Sequence, residues 1–146
     1  MYICQNSLIN HLRFGFSIDQ VPTIEAYAGQ LSVEKESAIN ITVPLPAVFV
    51  TFIDGRPMAE LDSKYHQMAL IVVTQNDTNT LLESHQDNLQ LVSDLAEYLK
   101  KNFTFAAIGG RGTYSIRKPD TTAMMILNNS RYCVIGLSLY ISDLRR

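Results

Sequence analysis

Residues 44–76 constrain the fold more than any other part of the chain. Two apolar stretches, PAVFVTFI at 46–53 and MALIVV at 68–73, flank a polar, turn-forming segment that contains Gly55 and Pro57. Both stretches are rich in β-branched and aromatic residues and are apolar at odd and even positions alike, so they read as strands buried on both faces. Such a pair cannot leave one side to water, and its faces must be covered by helices or by a neighbouring subunit. Pro44 and Pro46 lack the N–H that a ladder needs, so pairing of the first strand begins after them.

The polar stretch between the two strands is far longer than the roughly two to five residues of an ordinary hairpin loop. Extended loops of this kind often serve as binding or assembly arms. Asp54, Gly55, Arg56, Glu60, Asp62 and Lys64 are therefore candidate contact residues. Asp54-Gly55-Arg56 is also a turn signal, because Gly tolerates positive φ, and an ordinary surface loop is the alternative reading.

The remaining elements are arranged around this pair. A short helix is expected over residues 5–14, with Leu8, Ile9 and Leu12 on one face, Asn6 or Ser7 as cap and Gly15 to end it. An extended segment follows at 23–27, and residues 30–43 fit neither period, so they read as a long loop or a short helix. A second helix starts at TLLE (80–83) or SHQD (84–87), both with capping-box spacing. Its apolar face is Leu89, Val92, Leu95, Ala96 and Leu99, and the Glu97 and Lys101 pair adds slight support.

Beyond Phe103 come AAIGGRG (106–112), an extended stretch at 114–117, a break at 118–120 and an apolar patch at 124–127. In the last element, 131–142, Cys133, Ile135, Leu137, Leu139 and Ile141 alternate with Tyr132, Val134, Gly136, Ser138 and Tyr140. That alternation predicts a strand with one apolar and one mixed face, suited to a sheet edge or a subunit seam, which makes Arg131 and Tyr140 further candidate contacts. No repeat, low-complexity tract or linker divides the chain. The expectation is one α/β (α+β) domain over residues 1–146, a mixed, mainly antiparallel sheet with helices packed on one face.

A chain of 146 residues, 47% apolar and 18% charged, has the composition of a globular domain, and folding buries roughly 70% of its unfolded surface. No apolar run approaches the ~20 residues of a membrane-spanning helix, and the N-terminus lacks a signal-peptide core, so synthesis in the cytosol without membrane insertion is expected. Cys4 and Cys133 stand far apart and form no CxxC, which speaks against a thiolate metal site and a disulfide framework. Cys133 on an apolar strand face is expected to be a buried, protonated thiol. Asp62 and His66 straddle a loop and a strand, where a spacing of four carries no fixed geometry, and His66 is expected to face solvent. The GGRG at 109–112 is followed by no Lys-Ser/Thr and opens no strong helix, so it reads as a flexible connection rather than a phosphate cradle. No catalytic, metal or cofactor residues are assigned.

Charge is unevenly distributed along the chain. Residues 1–90 carry four Lys/Arg against ten Asp/Glu, and residues 91–146 carry eight against four, about −6 and +4. If the two parts lie on opposite sides of the folded unit, head-to-tail association into a ring is favoured. Scattered charges are the alternative. The basic pairs Arg117-Lys118 and Arg145-Arg146 are too few for a nucleic-acid stripe.

The order of an N-terminal helix, IEAYAG at 24–29, PAVFVTFIDG at 46–55, MALIVVTQN at 68–76, an amphipathic helix at 84–101 and a terminal strand resembles the Mu-like family of phage tail proteins, which includes tail terminators of contractile-tailed phages. The resemblance spans nearly the whole chain and rests chiefly on the Pro-Ala-Val strand and the Asn-ended strand. It implies a structural virion protein that forms a homo-hexameric ring at the head-proximal end of the tail tube. Such a ring stops growth of the tube and sheath proteins and offers a docking surface to the head connector, or neck, protein. DNA passes through it without specific binding. Another head-to-tail joining or tail-completion protein is the second reading, and a small enzyme or ligand-binding domain the third.

Exposed charges matter more for partner choice than for folding. The double variant Glu60→Lys, Asp62→Lys is expected to keep the thermal midpoint of the parent while assembly with tail components falls. Unaltered assembly would remove the arm assignment.

Overall fold

The computed structural model describes residues 2–29, 31, 41–52, 65–75, 81–110, 112–117, 123–128 and 132–144. Its elements are α1 (Tyr2–Gly15), β1 (Thr23–Ala26), β2 (Ala47–Phe52), β3 (Tyr65–Gln75), α2 (Leu81–Lys101), β4 (Thr104–Ala106), β5 (Thr113–Arg117), β6 (Ala123–Asn128) and β7 (Tyr132–Asp143). The strands form one seven-stranded sheet in the order β1-β2-β3-β7-β5-β4, with β6 also paired to β7. Among the described residues β1 and β2 are the parallel pair and the other ladders are antiparallel. The architecture is α+β, as the sequence patterns predict.

The terminal strand is not an edge, which corrects that expectation. β7 pairs with β3 along all eleven residues of β3. Its opposite edge is shared by β6, at residues 133–137, and by β5, at residues 140–143. Alternation of side chains reports which faces of a strand are wet, whereas lateral neighbours are set by backbone groups that every sequence carries. The mixed face of β7 therefore said nothing about its edges.

One face of the sheet carries the main core. Val48, Val50, Met68, Leu70, Val72, Ile135, Leu137, Leu139 and Ile141 meet Leu8 and Leu12 of α1 and Val92, Leu95 and Leu99 of α2, all nearly or fully buried. Each such side chain contributes about 1.5–3 kcal/mol relative to exposure. Gln5 of α1 is buried too, and its Nε2 donates to the carbonyl of Val50 at 2.7 Å, fastening the helix to β2. The opposite face holds a smaller cluster of Ile41, Ala47, Phe49, Val73 and Val134, overlaid by Tyr27, Leu31, Val43 and Leu45.

α2 begins at Leu81, so the earlier of the two capping signals marks its start. Its buried stripe is Asn88, Val92, Leu95 and Leu99, whereas Leu89 is exposed. The spacing of 88, 92, 95 and 99 is that of one helix face, and residue 89 falls beside it. Asn88 is tolerated there because its Nδ2 donates to the carbonyls of Cys133 (2.7 Å) and Val72 (3.3 Å), joining β7 to β3 from above. A buried amide without such partners would be costly.

Gly15 ends α1 for a reason other than a left-handed turn. A Cβ at this position would stand 2.2 Å from Cε1 of Tyr98, so the absence of a side chain lets the α2 ring lie against the end of α1. The Tyr98 hydroxyl then donates to the His11 carbonyl at 2.8 Å. Gly15→Ala is expected to lower the unfolding free energy by about 1–3 kcal/mol, the usual cost of overpacking. Urea unfolding measures it, and adding Tyr98→Leu, which removes most of the ring, should recover part of the loss. A neutral Gly15→Ala would contradict this packing.

Candidate functional site

Strand alternation makes residues that share a row across the sheet point to the same side. On the face away from the helices, one row runs Ile71–Gly136–Met124, the next Thr51–Ala69–Ser138, and the next Gln67–Tyr140–Arg117. The cluster around Phe49 and Val73 covers the part of this face above those rows and reaches the first of them, where Phe49 stands beside Ile71. From Ile71 and Gly136 down to Gln67 and Tyr140 the described residues of β3 and β7 on this face are half-buried or exposed, and Ser142 below them is buried. The expectation that both faces are covered thus holds for the helix side and for half of the other. What remains is an uncharged floor of small residues, Ala69, Gly136 and Ser138, rimmed by larger side chains. Met124 is 70% exposed, Ile126 54% and Tyr140 45%. A Cβ at Gly136 would approach Cδ1 of Ile126 to 3.1 Å, so the bare Cα lets that side chain lie close over the floor.

Tyr140 is the one proposed contact residue within the described residues. It sits on this open face, where its hydroxyl accepts from Nε2 of Gln67 at 3.2 Å. Asp54, Gly55, Arg56, Glu60, Asp62, Lys64 and Arg131 lie outside the described residues, as does most of the 30–43 segment. Sequence reasoning missed Met124 and Ile126 as surface residues. Their only signal was an apolar patch with no helical or alternating period, which reads equally well as core.

The two sheet edges differ. β1 is shielded: Nε and Nη2 of Arg13 donate to the Ile24 carbonyl at 3.1 and 2.6 Å, and a cleft of about 430 Å³ lies beside it. β4 is only three residues long, a length that blunts an edge. β6 is longer, uncharged and apolar, and β4 covers β5 but not β6. A second cleft, also of about 430 Å³, lies between α2 and the approach to β2, with Asp87 and Asp94 on its wall.

The described strands of residues 1–90, β1 to β3, form one side of the sheet, and those of residues 91–146, β4 to β7, form the other. The charged residues on those strands are Glu25 on β1, Arg117 on β5 and Asp143 on β7, and most of the charges of the two parts of the chain lie outside the described residues.

The residues with possible chemistry are spread through the molecule. Cys133 is fully buried, and burial pushes its thiol above the ordinary range, opposed in part by a hydrogen bond with Asn88. Cys4 is buried with its Sγ 3.8 Å from Sδ of Met68. His66 does not face solvent as expected. β3 starts before its apolar run, so alternation places His66 on the helix side with Met68, half-buried and edge-on to Tyr114 with ring centroids 6.1 Å apart. Among the described residues no group of three His, Cys, Asp or Glu side chains is placed to share a metal ion, and no helix is long and apolar enough to cross a membrane.

His11 is the titratable group most entangled with the packing. Its ring stacks on Phe105 at 5.0 Å and lies 5.2 Å from Tyr98, and its Nε2 is 2.8 Å from the Asn102 carbonyl. Burial pushes its pKa below the ordinary 6.5, partly countered by that hydrogen bond. The unfolded chain therefore binds this proton more readily than the folded one, and unfolding free energy rises with pH in this range. The contribution is complete above 6.5 and is lost as pH falls through the lowered folded value. Urea titrations between about pH 7 and pH 5 should show the parent losing stability and His11→Gln losing less. An equal slope for both proteins would refute the assignment.

Comparison with protein-family models, curated proteins and solved structures finds no match to this chain.

Proposed function

We propose that this chain is a structural subunit of a phage tail that closes into a hexameric ring at the head-proximal end of the tail tube. There the ring ends polymerisation of tube and sheath and offers the head connector its docking surface. The reading starts from the sequence resemblance carried by residues 46–55 and 68–76. The observation that carries it furthest is the half-bare sheet face. A floor of Thr51, Ala69, Gly136 and Ser138 under exposed Met124, Ile126 and Tyr140 is a surface for protein contact rather than for chemistry.

A further feature supports a ring over a simple pair. The two sheet edges are unlike in shape, one a shielded cleft and the other an apolar strand. A closed ring of identical subunits requires two different, mutually complementary surfaces of this kind.

Electron microscopy of the concentrated protein, alone and mixed with assembled tail tubes, tests the reading. Sixfold rings, or density capping one tube end, are expected. A persistent monomer that ignores tubes would overturn it and favour a joining protein that acts only on the head connector.

A further inference from the structure

The second cleft lies where α2, the end of β3 and the approach to β2 meet, and its volume of about 430 Å³ is that of a small-ligand site. Asp87, Gln90, Leu91 and Asp94 of α2 form one wall, and Gln20, Leu45, Pro46, Thr74 and Gln75 complete the lining. No Lys, Arg or His is among these residues. The cleft therefore offers two carboxylates and three carboxamides beside a small apolar patch, a set rich in acceptors and without a cation of its own.

Its inner wall holds an unsatisfied group. Thr74 is 8% exposed, and its Oγ1 has no hydrogen-bond partner. By alternation its side chain lies on the helix side of β3 with Met68, Leu70 and Val72, and there it lines the cleft. Asn88, the residue after Asp87, donates to the carbonyl of Cys133, the register partner of Thr74, and its own Oδ1 is likewise buried without a partner. Two exposed acids on a helix are by themselves a solvated face. A bare hydroxyl at the base of the same cleft is not explained by solvation, and a buried polar atom of this kind calls for a bound group.

The geometry points to a binding site for an aliphatic diamine, an alkyl chain with an ammonium group at each end. Asp87 and Asp94 are two helical turns apart, so they share one face of α2 at a separation of about 10 Å along its axis. One ammonium is held by Asp87 and donates to Oγ1 of Thr74 at the same level of the sheet. The other is held by the Asp94 oxygen left over when Oδ1 accepts from Nε2 of Gln90 at 2.8 Å. The methylenes between them lie against Leu45, Pro46 and Leu91. Each exposed carboxylate alone contributes little in water, whereas two on one rigid helix act on the same molecule, and the first contact raises the effective concentration for the second. Carboxylates this far apart cannot share one metal ion, whose oxygen ligands stand within about 2.6 Å of it. The site is independent of the ring reading.

Isothermal titration calorimetry of the full chain at low salt tests the site with three probes: hexamethylenediamine, hexylamine, which has the same chain and one ammonium, and magnesium chloride. The diamine should bind about fivefold or more tighter than hexylamine, and Asp87→Asn and Asp94→Asn should each weaken it by a similar factor. Glu97→Gln, which removes an exposed acid of the same helix outside the cleft, should leave the affinity unchanged. Thr74→Val puts a methyl where the bare hydroxyl stands, so it should keep or raise the thermal midpoint and still weaken the diamine. Absence of binding, equal affinity for the two amines, or a Thr74→Val protein that binds the diamine as the parent does would each overturn the site. Magnesium binding as tight as the diamine, or an equal loss in Glu97→Gln, would overturn it in favour of a general attraction of the helix for cations.

Discussion

The ladder between β3 and β7 is the interaction on which the rest of the structure depends. Every residue of β3 has a partner on β7, and what is left of β7 on its other edge organises β5 and β6. β2 and then β1 build outward from β3 in the opposite direction. Because the period along a strand is two, this register sets the side on which every residue of both strands points. Met68, Leu70 and Val72 share a face with Ile135, Leu137 and Leu139 in this register, a slip by one residue would separate them, and that face is what the helices cover.

The helices are held to this surface by a small number of polar and steric details within an apolar interface. Asn88 reaches from α2 to carbonyls of both central strands, and Gln5 reaches from α1 to β2. At the far end of both helices the bare Cα of Gly15 admits Tyr98, which is followed by His11 and Phe105 in one aromatic group. Burial of apolar area is non-directional, so contacts of this kind are what select one arrangement of two helices on a sheet. Ser7 adds another, its Oγ accepting from the N–H of Ile108 beyond β4 at 2.9 Å.

The opposite side is built to a different standard. Near Phe49 and Val73 a connecting segment supplies cover, and below it the small residues Ala69, Gly136 and Ser138 leave an open floor. The apolar rim at β6 and the cleft at β1 lie on the two ends of this same sheet. A surface that is neither charged enough to stay solvated nor folded in enough to be core is the usual mark of a protein contact. That property belongs to the arrangement of the strands, since Ala69, Gly136 and Ser138 come from two strands far apart in the chain.

The long central strands, the amphipathic stripe of α2, the alternation of β7 and the burial of both cysteines were legible in the sequence because each is written in local periodicity, the response of a regular backbone to a core on one side. Leu89 was assigned to the buried face and Asn88 to neither face because hydropathy outweighs phase when a stripe is read by composition, and the amide's partners are remote backbone carbonyls. His66 was placed in solvent because it is a polar residue at the start of a strand, and Tyr114, the ring it packs against, comes from a strand distant in the chain. The sequence by itself determined the element types and the separation of acidic and basic parts. The tertiary structure alone decided that β7 is interior and that, among the described strands, β6 is left without an outer neighbour. Those outcomes depend on lateral pairing between distant segments, made by backbone groups common to every residue, and local side-chain pattern carries no record of them.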